Sequence, residues 1–141
     1  MAGHEKTEIR TKLNEFLLKH HRSVPGFVSK KVIKLIVDIA STDWPHFYPD
    51  FFNHIMECIY RHDTLLLGLS MLLITSEELA TPRDNVSSAR KEELRRLLCA
   101  QVPQVNYCSV VCDTTMRNPT NILCTYVRAK SRISCACAKI L

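Results

Sequence analysis

The segment Ser41–Phe52, STDWPHFYPDFF, separates two stretches of helical periodicity and decides how the chain folds. It contains the single tryptophan of the chain, four further aromatic residues and two prolines. A proline cannot donate a backbone hydrogen bond and disfavours helix for the residue before it, so the preceding helix is predicted to end by about residue 42. The segment therefore predicts a corner between two helices.

The residues of this corner have structural roles in our interpretation. We expect Asp43 to cap a helix that starts near Pro45. Phe47 and Phe51 would lie one turn apart on that helix and would form, with Trp44, an aromatic wedge between helix pairs. A ligand pocket is the alternative interpretation of the same aromatic cluster. The two aspartates of the segment are expected to be caps or surface charges, because no cleft signature marks them as a paired acid and base.

Two amphipathic helices are predicted before the corner, because apolar residues recur there at spacings of three and four. The stripe of the first helix is Ile9, Leu13, Phe16 and Leu17. The inward stripe of the second helix is predicted to be Val28, Val32, Leu35, Ile36 and Ile39, with three lysines off it.

Three more helices are predicted after the corner. The third continues to about residue 61, the fourth is apolar on nearly every side from Leu65 to Ile74, and the fifth restarts near Ser87. The first two helix pairs recur at about 40 residues, the period of a HEAT-type solenoid. A free-standing helical bundle fits the same pattern, so periodicity alone leaves both folds open.

The charge distribution argues against nucleic acid as a partner. Residues 1–102 contain 14 Lys and Arg against 13 Asp and Glu, a net charge of +1, whereas residues 103–141 contain 5 against 1, a net charge of +4. The basic excess therefore lies in the tail, and the helical part has no surface of one sign to attract phosphate. The longest apolar run covers about half a membrane span, so no membrane insertion is expected.

The seven cysteines do not predict a metal site or a cofactor. Their number is odd and no secretory signal opens the sequence, so we expect a reducing compartment. The spacings Cys108-x3-Cys112 and Cys135-x-Cys137 do not match zinc-binding motifs, and the tail thiols are expected to be exposed. Cys58 and Cys99 lie on helix stripes and are expected to be core residues.

No catalytic residues are predicted. His20 and His21 close the first helix, where an imidazolium suits the negative end of the helix dipole. The sequence contains neither a glycine-rich phosphate loop nor a Ser-His-Asp order. We therefore expect the protein not to be an enzyme.

Five motifs resemble the N-terminal HEAT repeats of the importin-β-related exportin family. They are LIVDI at 35–39, DWP at 43–45, DFF at 50–52, TSEELA at 75–80 and ARKEELR at 89–95. The resemblance covers about residues 6–102 and implies an all-α, HEAT-type α-solenoid fragment of about five antiparallel helices. Residues 103–141 resemble no known family, and we expect them to be an unrelated, Cys-rich, basic tail that is poorly ordered.

The resemblance also implies a function in nuclear transport. Such exportins bind the GTP form of the small GTPase Ran together with cargo in the nucleus and release both in the cytoplasm. For the exportins that this chain resembles most, the implied cargo is actin with profilin. Lys31 and Lys34 match the family pattern in the helices that contact Ran. The alternative is a truncated structural or interaction fragment without transport activity.

Circular dichroism tests the predicted fold class. A chain built from helix pairs should give the strong helical spectrum with minima near 208 and 222 nm, because the periodicity is helical throughout residues 6–102. A spectrum dominated by strand would contradict the prediction.

Overall fold

The computed structural model describes residues 3–81, 84–106 and 119–138. Within these residues the chain contains no strand, and residues 102–106 are helical in addition to the named helices. The named helices are α1 Gly3–His20, α2 Gly26–Asp43, α3 Phe51–Tyr60, α4 Leu65–Ala80, α5 Ser88–Ala100 and α6 Pro119–Ala138. The predicted all-α fold is confirmed.

The chain forms two compact units, Met1–His54 and Ile55–Leu141, and the boundary between them lies inside α3. This division by packing differs from the predicted boundary after residue 102. We describe each unit by itself.

The first unit is built around the antiparallel pair α1 and α2. The Nζ atom of Lys6, near the start of α1, lies 3.3 Å from Oδ1 of Asp43, at the end of α2, so the two helices run in opposite directions. The five-residue connection between the helices is held by backbone bonds to His20 and Pro25 carbonyls. The buried apolar residues of the pair are Leu17, Ile33, Ile36, Val37 and Ala40.

The inward face of α2 differs from the predicted one. Leu35, which was expected inside, is 52% exposed, while Ile33 and Val37 are buried. The apolar residues of α2 are numerous enough to form two overlapping stripes, so their spacing alone does not decide which stripe faces α1. The structure buries Ile33, Ile36 and Val37 and leaves Leu35 at the surface.

The second unit is organised by α4, which packs against both α5 and α6. Eleven of its 16 residues are buried, including the polar Thr75 and Ser76. The sequence shows apolar residues on nearly every side of this helix, and such a helix has to be covered from more than one direction. Leu94 and Leu98 of α5 are also fully buried.

Gly68 allows α4 to approach the end of α3 closely. A Cβ atom added at Gly68 would lie 2.7 Å from the backbone nitrogen of Ile59 and 2.9 Å from the carbonyl carbon of Cys58. The turn between the helices is held nearby by Thr64, whose hydroxyl donates to the Cys58 carbonyl over 2.8 Å. Because backbone atoms cannot move aside as a side chain can, this position requires glycine.

The tail prediction is wrong for residues 119–138, which form the 20-residue helix α6 rather than a poorly ordered segment. The residues of α6 that are buried are Tyr126, Ala129, Ile133 and Ala136. They recur at spacings of three and four, which is a helix stripe, but two of them are alanines and contribute little to an apolar pattern. Cys108 and Cys112 lie outside the described residues.

Three kinds of contact hold α6 in the second unit. The Tyr126 hydroxyl donates to the Val105 carbonyl over 2.8 Å, in a buried position. Cys137 forms a disulfide with Cys99 of α5, and their Cα atoms are 5.5 Å apart. This pairing differs from the expectation of exposed tail thiols in a reducing compartment, whereas Cys135 is free and exposed as expected. Arg132 and Glu77 of α4 form a partly exposed ion pair, with 3.6 Å between Nε of the arginine and Oε1 of the glutamate.

Replacing Gly68 with alanine should destabilise the protein by about 1–3 kcal/mol, because the new methyl group overlaps the α3 backbone. Gly26→Ala is the matched control, because a Cβ atom at Gly26 meets nothing within 4 Å. The control should be neutral or stabilising by about 0.5–1 kcal/mol. Urea unfolding followed by circular dichroism at 222 nm measures the free energy of unfolding of both variants. Equal free energies of unfolding for the two variants would contradict the close approach.

Candidate partner-binding surface

The first candidate site is the exposed face of α2. Lys31 and Lys34 are both exposed on this helix. The same face carries two large apolar residues, Phe27 at 70% exposure and Leu35 at 52%. Phe27, Lys31 and Leu35 follow one another at intervals of four residues and therefore form a continuous stripe. The structure thus brings the two predicted lysines together with apolar residues that the sequence analysis did not assign to the surface.

The second candidate site is the corner after α2, where aromatic rings form a buried cluster. Trp44 packs edge-on against Phe51 at a centroid distance of 5.5 Å and stacks on Phe52 at 5.9 Å. Tyr48 contacts Phe51 at 5.4 Å. All four side chains are at most 5% exposed. The predicted aromatic wedge is therefore a packed structural cluster within the first unit.

Polar residues of α1 hold the corner in position. The Asn14 side-chain amide donates to the Tyr48 hydroxyl over 3.0 Å. The Arg10 guanidinium donates to the Phe47 carbonyl, and it also lies over the Tyr48 ring, 4.1 Å from the centroid. Burial raises the pKa of Tyr48, although the Asn14 hydrogen bond and the Arg10 charge act in the opposite direction. Arg10 and Asn14 were not predicted to contact the corner, although their spacing of four residues on α1 was the available signal.

Two details of the predicted corner are wrong. Phe47 is 75% exposed and lies outside the aromatic cluster. Asp43 belongs to the last turn of α2, where it pairs with Lys6, and it does not cap α3. The physical reason is the same for both residues: α3 starts at Phe51 rather than near Pro45, so Phe47 is not on a helix with Phe51. The bond between Trp44 and Pro45 is a cis peptide.

The described residues do not bring a set of metal-binding side chains together. No group of three metal-binding side chains occurs in residues 3–81, 84–106 or 119–138. Burial, assisted by the charge of Glu57, raises the pKa of the Cys58 thiol to about 11, so this thiol stays protonated at neutral pH and is a poor nucleophile. The His21 ring contacts the Leu17 carbonyl at 2.9 Å, as expected for a helix end.

Comparisons with known proteins identify the family. The profile of the Exportin 1-like protein family, Xpo1, matches residues 25–141. The chain belongs to this exportin family. No solved structure matches the chain.

Exportin-6 proteins are among the relatives of this exportin-family chain. It is 54% identical to human exportin-6, 52% identical to exportin-6-B of Xenopus laevis and 44% identical to exportin-6 of Danio rerio. Each match covers 105 residues, which are 74% of this chain and 9% of the relative. The predicted HEAT-type α-solenoid fragment is confirmed by the family and the helices together. The family profile also includes the tail, which the sequence analysis had set apart.

None of the helices in the described part of this exportin-family chain has the length and the apolar composition of a membrane span.

Two phenylalanines of the corner form a matched pair for testing the aromatic cluster. Phe51→Ala should lower the free energy of unfolding by about 3–5 kcal/mol, because its ring is fully buried. Phe47→Ala should change it by less than about 0.5 kcal/mol, because its ring is 75% exposed. Chemical denaturation of both variants provides the measurement. A Phe47 variant as unstable as the Phe51 variant would contradict the described corner.

Proposed function

We propose that this chain acts as part of a nuclear export receptor that carries protein cargo between nucleus and cytoplasm. The observation that supports the proposal is the 52–54% identity to exportin-6 proteins. The chain spans 9% of the length of these relatives, so the activity proposed is that of the longer protein to which such a segment contributes.

The proposed partner is Ran in its GTP form, contacted through Lys31 and Lys34. Both lysines are exposed on α2. Their positions are three apart in the sequence, so they are neighbours on one helix surface. Exposed ammonium groups attract an acidic partner surface and raise the rate of association. The identity of the partner rests on the family resemblance.

The proposed cargo is actin with profilin, which also rests on the resemblance to this group of exportins. The proposal involves no catalytic step, no cofactor and no nucleic acid. Export would depend on binding alone, with the direction set by the nucleotide on the GTPase.

A second function is an interaction fragment without transport activity, which would compete with the longer receptor for a partner. Two or three helix pairs can offer a large partner a contact area on the order of a few hundred Å². A stable specific complex buries roughly 1,000 Å² of surface, which is more than this chain can offer.

Biolayer interferometry with immobilised Ran tests the partner. We expect the full chain to bind GTP-loaded Ran with a dissociation constant weaker than about 1 µM, because the contact area is small. Replacing Lys31 and Lys34 together with glutamate should weaken this binding further, because it reverses two charges at the contact.

The control replaces Lys19 and Lys130 with glutamate, two exposed lysines on α1 and α6, so that the net charge is the same. An equal loss of affinity for Ran in the two double variants would contradict a specific role for Lys31 and Lys34. A tight complex that is selective for the GTP form would show that the short chain is itself a working Ran binder.

A further inference from the structure

A disulfide joins the last turn of α6 to the last turn of α5 in the second unit. Cys99 is the last residue but one of α5, and Cys137 is the last residue but one of α6. Both cysteines are partly exposed, so the cystine lies at the surface of the unit rather than in its core. A small molecule in solution can approach a cystine in such a position.

Apart from the disulfide, α6 is held by few large apolar side chains. Of the side chains that the structure describes in this helix, the buried ones are Tyr126, Ala129, Ile133 and Ala136. Alanine removes little apolar surface from water, so Tyr126 and Ile133 provide most of the burial. The ion pairs from α6 to Glu77 are partly exposed and contribute little to stability. The disulfide is therefore a large part of what keeps α6 in place.

The disulfide favours the docked position because it limits the freedom that α6 gains when it leaves α4. The helix packs against both α4 and α5. While Cys137 is bonded to Cys99, the two cysteines are 38 positions apart in a closed loop, and an undocked α6 stays tethered at its end. Undocking then releases less conformational entropy than it does from an open chain. Reduction removes this restraint and makes undocked states more frequent.

The cellular setting makes this cystine a target for reduction. Glutathione keeps thiols reduced in the cytosol and the nucleus, and disulfides that do form there are usually transient and catalytic or redox-sensing. Exposed disulfides are the more easily reduced ones. The setting rests on the proposed transport between nucleus and cytoplasm, whereas the position of the cystine and its link to α6 do not.

The reaction is an exchange with a low-molecular-weight thiol such as glutathione. Its thiolate attacks one sulfur of the cystine, forms a mixed disulfide with that sulfur and expels the other cysteine as a thiolate. A second glutathione thiolate attacks the mixed disulfide, which releases oxidised glutathione and the second cysteine thiolate. Each cysteine thiolate takes up a proton, so two electrons and two protons have passed from two glutathione molecules to Cys99 and Cys137.

We propose that the Cys99–Cys137 disulfide is a thiol-exchange site whose reduction releases α6 and uncovers the apolar surface of α4. The oxidised chain keeps α6 docked. In the reduced chain the helix exchanges between docked and undocked positions. Cys135 is free and takes no part in the link, although it is only two residues from Cys137.

Differential alkylation of the native full chain tests the exchange site. The chain is oxidised with oxidised glutathione, treated with an excess of reduced glutathione without denaturant, and labelled with N-ethylmaleimide. Peptide mapping by mass spectrometry should find both Cys99 and Cys137 newly labelled within about one hour. A Cys99–Cys137 bond that never forms, or that stays intact in the native chain, would overturn the exchange site.

Trypsin tests the release of α6, because Arg128, Lys130 and Arg132 lie inside this helix and their backbone is cleaved when the helix opens. Reduction with dithiothreitol should raise the rate of cleavage within α6 about tenfold or more. Cleavage after Lys12 and Lys19, two exposed residues of α1, is the internal reference and should change less than about twofold. Equal rates of α6 cleavage in the oxidised and reduced chains would overturn the proposal.

Two serine variants form a matched pair for the same assay. Cys137→Ser removes the disulfide and should give fast α6 cleavage with or without dithiothreitol. Cys135→Ser keeps the disulfide and should respond to dithiothreitol as the unsubstituted chain does. Circular dichroism verifies folding, and Cys99→Ser provides the test should Cys137→Ser lose its helical spectrum. A response that persists in Cys137→Ser, or that is lost in Cys135→Ser, would assign the effect to other cysteines and overturn the proposal.

Fluorescence of the dye ANS tests whether α4 is uncovered. The signal should rise when the unsubstituted chain is reduced and should be high throughout in Cys137→Ser, because the dye binds exposed apolar surface. Faster cleavage of α6 with an unchanged signal would mean that α6 frays without leaving α4, and would overturn the uncovering. None of these experiments uses Ran, so their failure and the failure of the proposed function are distinguishable.

Discussion

The burial of α4 is the constraint on which the second unit depends. A helix with eleven buried residues out of 16 cannot be stable with one neighbour, because its apolar surface extends around most of its circumference. The unit meets this requirement by packing α5 and α6 against α4 and by bringing the end of α3 against Gly68. In helical repeat proteins generally, such surfaces are covered by the adjacent repeats. Here residues 119–138 provide part of that cover.

In the first unit, polar contacts fix the corner after α2 and apolar contacts fix the helix pair. Arg10 and Asn14 reach the corner from α1, and the Trp44 ring lies among the other buried aromatic side chains. This arrangement leaves the opposite side of α2 at the surface with Phe27, Lys31 and Leu35. The surface available for binding is thus a consequence of which stripe of α2 faces α1.

The features that the sequence predicted well are those with a strong local pattern. The apolar run of α4 predicted its burial, and Ser87 predicted the start of α5, where its hydroxyl accepts from the Arg90 amide at 3.2 Å. The errors have physical causes. The apolar positions of α2 permit two inward faces, and the exposure of Phe47 depends on a non-helical path between α2 and α3 that residue spacing does not encode. The stripe of α6 was missed because alanines form half of it.

Hydrogen exchange of the full chain, followed by mass spectrometry, tests most directly whether α6 covers α4. We expect peptides from residues 65–80 to be the slowest to exchange and peptides from residues 125–138 to be protected together with them, since the two helices pack against each other. Exchange of residues 125–138 at the rate of an unstructured peptide, with residues 65–80 still protected, would contradict the packing of α6 on α4.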